Sequence, residues 1–326
     1  AGPARAGHPP AMNLLLAGSF DDAERARWHE VLAAALPQHR LLLSVDGVSR
    51  ADIEVAIVAN PPAGALRELP GLRLIQSLWA GVDRLLGDPT IPPEVPIARM
   101  VDPALAVAMA ETALWAVLSL HRGFFVYQQR QRQALWQQHA QRRADEVGIT
   151  LLGFGAMGQA CAQALLCGGY AVTAWTRGAG APVSAVPGVQ RINGHEALWR
   201  RLADSDIVIN LLPLTADTSG LLDATFFGAM PRHGAIVNLG RGGHVVEADL
   251  LQRLDQGLLR HAVLDVFPIE PLPREHPYWR HERITVLPHA AALTDPRSAA
   301  QVVAANVLAL AEGRIPAHLI NRARGY

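Results

Sequence analysis

The sequence predicts an α/β protein with two parallel-sheet domains, one of them a doubly wound sheet inserted within the other. Three observations carry that expectation. Apolar, strand-like runs alternate with helical stretches in two separate series. A glycine-rich turn, G-x-G-x-x-G at Gly153, Gly155 and Gly158, opens the second series in mid-chain rather than near the N-terminus. After that series comes a long helix, DPRSAAQVVAANVLALAEG, whose length lets it return to the first domain and close it. A chain of 326 residues accommodates two domains of ordinary size.

From Met12, which reads as the natural start, MNLLLAG is a strand and DDAERARWHEVLAAAL a helix opened by acids. IEVAIVAN and LRLIQSLWAG are further strands, the latter ending in a Gly turn. These form a domain over 12–99, completed by 290–326. The second domain is expected over 100–289. It begins with DPALAVAMAETALWAVLSLHR, a helix with Asp102 as candidate N-cap and Pro103 in the first turn. Glu111 interrupts its apolar run, which suits a connecting helix buried between domains better than a membrane span. Residues 122–143, RGFFVYQQRQRQALWQQHAQRR, are rich in Gln and Arg with interleaved aromatics. They have two readings, a solvated helix or an arm that packs on a partner subunit. The strands expected after it are ITLLG, YAVTAW, DIVINLL, GAIVNLG, HAVLDVF and ITVLPH.

Composition narrows the function. The 29 basic and 29 acidic side chains cancel, so nothing suggests nucleic acid or an anionic membrane as partner. Cys161 and Cys167 fall on different faces of one expected helix, a spacing that argues against a disulfide, and a cytoplasmic protein is expected. All 29 basic residues are arginine. With no lysine in the chain, a Schiff-base lysine, a P-loop lysine and a lysine general base are excluded. His281 and His289 have no third ligand near them in sequence, and no metal site is expected.

The glycine turn comes after a strand and precedes the helix AMGQACAQALL. A helix N-terminus there offers free N–H groups and the positive end of its dipole to a pyrophosphate. Dinucleotide binding is expected, with Gly153, Gly155, Met157 and Gly158 at the turn and Leu212 and Pro213 further along. The next strand ends in Trp175-Thr176-Arg177, and no acid occurs between Gly158 and Glu196. An acid at that point would accept from the ribose 2′-OH of NAD. An arginine suits a 2′-phosphate instead. Thr176 and Arg177 therefore predict NADPH, with NADH the weaker alternative; the competing reading leaves Arg177 in solvent.

Later strand ends deliver Arg241 (GAIVNLGRGG), Asp265 and Glu270 (HAVLDVFPIEPLP) and His289 (ITVLPHAA). Ligands of open α/β sheets bind at such ends, and a histidine paired with a carboxylate is a candidate acid/base. NLGRGGHVVEADLL, LDVFPIEPLP with HPYW shortly after, and LPHAAALT resemble the signatures of the D-2-hydroxyacid dehydrogenase family. LWAGVDRLL, AMAETALWAVLSLHR and the terminal RARGY resemble its glyoxylate/hydroxypyruvate reductase branch. The resemblance runs from Met12 to the end. It implies two Rossmann-like domains, a cofactor domain inserted in a flavodoxin-like substrate domain, and an oxidoreductase acting on small 2-oxo acids.

It also implies roles. His289 would protonate the carbonyl oxygen and Glu270 would hold its tautomer. Arg241 would bind the 2-oxo acid. The N–H groups of Ala80 and Gly81 would hold the carboxylate, and Asp265 would contact the nicotinamide carboxamide. Trp136 resembles an arm residue that reaches the other subunit's pocket, which points to a homodimer; ordinary packing is its other reading. Where some relatives carry a serine three residues after the histidine, this chain has Ala292. Trp79 either narrows the pocket or packs away from it. One rival reading, from GFGAMG alone, fails because the turn is mid-chain and the chain has no lysine; two others stay open. The 3-hydroxyacid dehydrogenases share GFGAMG but place it at the N-terminus and use a lysine. Formate or phosphite dehydrogenases share the fold, as does a dinucleotide-sensing corepressor.

Overall fold

The computed structural model describes residues 10–178 and 186–325. The chain divides into two compact units, one taking the chain up to Ala104 and from Thr294 on, the other Leu105–Leu293.

The first unit is built on β1 (Asn13–Gly18), α1 (Asp22–Ala35), β2 (Arg40–Leu42), β3 (Ile53–Ala59), β4 (Leu74–Ser77), α2 (Asp83–Leu86) and β5 (Ile97–Ala98). Its strands are parallel and run in the order β2-β1-β3-β4-β5. That is the flavodoxin-like order of a doubly wound sheet. β3 is apolar at nearly every position and almost wholly buried, as a parallel strand covered on both faces must be. Asp21 starts α1 by accepting from the Glu24 N–H at 2.8 Å. β2 and β5, three and two residues long, were not expected from the sequence.

The second unit opens within α3 (Pro103–His121) and continues through α4 (Phe124–Arg132), β6 (Gly148–Leu152), α5 (Ala156–Cys167), β7 (Ala171–Thr176) and β8 (Gln190–Asn193). It goes on with α6 (His195–Leu202), β9 (Ile207–Asn210), α7 (Ala224–Ala229), β10 (Ala235–Asn238), α8 (Glu247–Asp255), β11 (His261–Leu264) and β12 (Ile284–Val286). The seven strands are parallel, in the order β12-β11-β10-β9-β6-β7-β8. Ala113, Val117 and Leu120 of α3 and Cys161 and Leu165 of α5 bury one face. Leu198 of α6, Phe226 and Phe227 of α7, and Leu250 and Leu254 of α8 bury the other. By length and composition α3 could cross a membrane; here Leu105, Met109, Ala113, Ala116, Val117 and Leu120 are buried. Asp102 caps its start by accepting from the Ala104 N–H at 3.0 Å.

Of the segment 122–143, only α4 is an α-helix, and Trp136 is fully exposed (100%). β8, the polar edge strand QRIN, was also missed from the sequence.

α9 (Pro296–Ala311) belongs to the first unit. Its Ala299, Ala300, Val303 and Val307 pack with Trp28 and Leu32 of α1. Polar contacts fix its register. Asn306 Nδ2 donates to Gln76 Oε1 at 2.7 Å, and Ser298 Oγ to Asp102 Oδ2 at 2.6 Å.

His261 opens β11 in a buried position. Its Nε2 lies 2.9 Å from the Thr285 hydroxyl, and its ring stacks on Phe125 with centroids 4.5 Å apart. Burial, aided by the charges of Arg260, His281 and Arg283, pushes its pKa from 6.5 down to about 4. Between those values the unfolded chain holds the extra proton. His261 therefore contributes stability above pH 6.5 that is lost as the pH falls toward 4, about 3 kcal/mol in all. Melting curves across this range are expected to show a shallower fall for His261→Gln than for the wild type; identical slopes would contradict the assignment.

Candidate functional site

Every strand of the second unit's sheet is parallel, so the strand C-termini share one edge. The ends of β6, β7, β9, β10, β11 and β12 and the segments that follow them carry the candidate residues of this unit, apart from Trp136 in the arm.

The three glycines of the turn after β6 have different physical reasons. Gly153 adopts φ +101°, which side chains rarely tolerate. A Cβ on Gly158 would come within 2.3 Å of the Gly153 carbonyl oxygen, so the turn closes only without one. A Cβ on Gly155 would meet nothing within 4 Å. Gly155 is also the N-cap residue of α5 and caps it with no side chain. The second glycine thus leaves open space in front of the helix N-terminus, where a pyrophosphate fits. Met157 is half-buried in the first turn of α5.

At the end of β7, Thr176 Oγ1 donates to the Gly178 carbonyl at 3.2 Å. Arg177 is ion-paired with Asp217, on the loop after β9. It does not simply extend into solvent, and Asp217 is a partner that the sequence reading missed.

Two buried asparagines shape the neighbouring loops. Asn210 ends β9 and Asn238 ends β10. Asn210 Nδ2 donates to Asn238 Oδ1 at 2.9 Å, and Asn210 Oδ1 accepts from the Leu212 N–H at 3.2 Å. Asn238 Nδ2 donates to the Arg241 carbonyl at 3.0 Å. His244, fully buried, lies across both loops. Its Nε2 is 3.2 Å from the Pro213 carbonyl oxygen, and its Nδ1 is 3.1 Å from the Arg241 nitrogen and 3.0 Å from the Arg241 carbonyl oxygen. Leu212, Pro213 and Arg241 are therefore held by one polar network. Arg241 Nη1 donates to the Gly240 carbonyl at 2.8 Å. Sequence reasoning passed over Asn210, Asn238 and His244. For the two asparagines the signal was an asparagine closing each of two apolar runs, IVIN and AIVN.

His289 and Glu270 meet: Nδ1 lies 2.7 Å from Oε2. A carboxylate only accepts, so Nδ1 carries a proton, and Nε2 is the nitrogen left to take up and release one. The other carboxylate oxygen of Glu270 accepts from the Phe267 N–H at 2.9 Å, which fixes the pair. His289 sits at φ +53°, uncommon for a side-chain-bearing residue. Buried Asp265 holds that backbone. Its Oδ1 accepts from Ala290 at 2.7 Å and Ala291 at 3.0 Å, and its carbonyl accepts from the His289 N–H at 2.9 Å. Burial raises the Asp265 carboxyl above its ordinary pKa, against the pull of those N–H groups. Thr112 of α3, also missed, donates to the Ala291 carbonyl at 2.6 Å.

Ala80 and Gly81 lie in the first unit, after β4. Ser77 Oγ orders the start of that loop by accepting from the Trp79 N–H at 3.0 Å. The Trp79 ring packs edge-to-face on buried Trp28, centroids 6.2 Å apart. Ala292 joins the core beneath the sheet.

The family described as D-isomer specific 2-hydroxyacid dehydrogenase, NAD binding domain, matches residues 114–291. The chain belongs to the D-isomer specific 2-hydroxyacid dehydrogenases. Its similarity to members of this family is nearly full-length. Glyoxylate/hydroxypyruvate reductase A of Serratia proteamaculans is 38% identical, over 97% of this chain and 100% of that protein. A D-isomer specific 2-hydroxyacid dehydrogenase from Xanthobacter autotrophicus Py2, solved in complex with NADPH and MES, is 33% identical. It superposes with a TM-score of 0.90, covering 97% of this chain and 100% of that one. The NADPH-dependent glyoxylate/hydroxypyruvate reductase of Sinorhizobium meliloti, solved with NADP and sulfate, is 29% identical with a TM-score of 0.89, over 97% and 100% of the two chains.

In this dehydrogenase, Gly242 is the tightest point between the loops bearing Arg241 and Glu270. A Cβ there would come within 1.9 Å of the Phe267 carbonyl carbon and 2.3 Å of the Pro268 nitrogen. Backbone must move to admit it. Gly242→Ala is expected to lose about 2 kcal/mol or more of stability, measured by denaturant unfolding; a wild-type midpoint would show that the two loops are not in contact.

Proposed function

We propose that this chain reduces small 2-oxo acids, glyoxylate and hydroxypyruvate, to 2-hydroxy acids with NADPH. The observation that carries the proposal is the 2.7 Å His289–Glu270 pair at the strand edge that also carries the glycine turn. The names of the relatives and the cofactors in the two solved structures support the substrate class and the choice of NADPH.

NADPH supplies the hydride when bound. Gly153, Gly155, Met157 and Gly158 hold its pyrophosphate at the N-terminus of α5, with Leu212 and Pro213 beside it. Thr176 and Arg177 receive the 2′-phosphate, and Asp265 contacts the carboxamide while its Oδ1 keeps the His289 turn in place. Arg241 binds the carboxylate and carbonyl of the 2-oxo acid. The backbone N–H groups of Ala80 and Gly81 add further contacts to the carboxylate. His289 passes a proton from Nε2 to the carbonyl oxygen as charge develops there, and Glu270 keeps Nδ1 protonated and the ring aimed. We further propose that the protein is a homodimer whose arm, 122–143, presents Trp136 to a second copy. Trp136 is fully exposed (100%) in the single chain.

Initial rates of NADPH and NADH oxidation with glyoxylate, hydroxypyruvate and pyruvate test the proposal. Turnover of the first two with NADPH preferred is expected. No turnover of any 2-oxo acid by folded, nucleotide-binding protein would overturn it. His289→Ala should lower kcat by about 10²- to 10⁴-fold and leave the NADPH Kd unchanged; near-full activity would refute the proton-donor role.

The cofactor preference has its own pair of variants. Arg177→Ala should weaken NADPH by about 10- to 100-fold, from the loss of charged hydrogen bonds, with little change for NADH. Asp217 competes with the phosphate for the same guanidinium. Because an exposed pair is worth at most about 1 kcal/mol, Asp217→Ala should tighten NADPH by about two- to fivefold. Fluorescence titration with both nucleotides checks both variants, and an unchanged NADPH/NADH ratio in Arg177→Ala would sink the assignment.

A further inference from the structure

The opposite edge of the second unit's sheet carries a second constellation. Arg260 immediately precedes β11, Arg283 immediately precedes β12, and Arg232 and His233 lie just before β10. These three strands are neighbours and parallel, so the residues before them gather at the N-terminal edge. The catalytic candidates leave from the C-terminal edge. A cavity of about 390 Å³ opens at the N-terminal edge, lined by Arg232, Arg260, Arg283, His233, His261 and Gln129, with Phe125 of α4 beside them.

The charge of this cavity is unbalanced. No Asp or Glu is among its lining residues. The carboxylate bonded to the lining residue His233, Asp206, is already engaged. It accepts from Arg142, from His233 Nε2 at 2.8 Å and from the Gly148 N–H at 2.8 Å. Arg283 spends one N–H on the Leu254 carbonyl at 2.8 Å. Arg232 makes no ion pair or side-chain hydrogen bond among the described residues. Arg260 is the most telling: its Nε is buried and has no acceptor among them. Such a charged donor, left unmade in a buried position, is costly and calls for an acceptor. Its surroundings are wrong for a cation, which the guanidinium groups would repel, and wrong for an apolar guest, which would leave Arg260 Nε unsatisfied.

We propose that this cavity is a binding site for a small anion with two or more negative charges, a phosphate ester or a di- or tricarboxylate, separate from the site of reduction. Guanidinium forks match the oxygens of both classes bidentately. Arg260 offers its buried Nε–H, and Arg232 and Arg283 close on the anion from the loops before β10 and β12. Gln129 is held in part, since its Nε2 donates to the Glu282 carbonyl at 2.5 Å.

Calorimetric titration of the full chain, saturated with NADPH, with inorganic phosphate and separately with citrate distinguishes the two classes. Binding of at least one, below about 1 mM, is expected. Arg260→Gln and Arg232→Gln should each weaken it by about tenfold or more, the loss of a charged hydrogen bond. Arg241→Gln, at the other edge, should leave it unchanged. If Arg260→Gln does not fold, Arg232→Gln and Arg283→Gln, both changes at exposed side chains, carry the test. Two outcomes would overturn the proposal. Either neither anion binds, in which case loss of a dimer in Arg232→Gln would make a second copy the occupant; or binding survives the three edge substitutions, and its loss in Arg241→Gln would place the anion at the other edge. Neither of these depends on which 2-oxo acid is reduced.

Discussion

The organising constraint of the second unit is the direction of its strands. Seven strands run parallel, so each crossover must bring the chain back across a face of the sheet before the next strand begins. The consequence is a sorting of residues by position in their strand. Residues just after a strand gather at one edge, and residues just before it gather at the other. Short buried strands such as AIVN and HAVL have no chemistry in their interiors. AIVN serves to separate Arg241 from Arg232, and HAVL separates Asp265 from Arg260. Phe226, Leu250 and the other residues that cover the sheet hold this sorting in place.

Within the edge that bears the candidate residues, rigidity comes from backbone groups satisfied by buried side chains. Asp265 accepts from two consecutive N–H groups after His289, and Glu270 anchors its second oxygen on the Phe267 N–H. His244 and the two asparagines do the same for the loops after β9 and β10. Loops at strand ends leave backbone donors without ladder partners, and an unpaired buried donor is costly. The polar side chains close that deficit, and so the loops bearing His289, Glu270 and Arg241 are held by buried neighbours. Glycine does the complementary work. Gly158 and Gly242 are places where two backbones approach so closely that no side chain fits.

Much of this was legible in the sequence because buried parallel strands are continuous apolar runs. IEVAIVAN, DIVIN and GAIVN announced themselves, as did the glycine turn and the strand-end residues Arg241, Glu270 and His289. The strands missed were those without such runs. β2 and β5 are two or three residues long, and β8 is a polar edge strand in which Gln190 and Arg191 are exposed. The arm was read as one stretch, yet its α-helix stops at Arg132, and Gln and Arg give no pattern of burial to mark the end. Asp217, His244 and Thr112 were missed for another reason. Their importance lies in a partner distant in sequence, and no local spacing encodes a pair such as Arg177–Asp217.

The glycine turn also has a thiol behind it. Cys161 lies in α5, fully buried in the core, and burial pushes its pKa up to about 12. Cys167, at the far end of the same helix, is exposed. Alkylating reagents attack thiolates, so in the folded protein Cys161 is nearly inert while Cys167 is open to modification. With Cys167 replaced by serine, the slow labelling of Cys161 becomes a clock for the opening of α5 away from the sheet. The nucleotide cradle then contains its own probe of how tightly it is held shut.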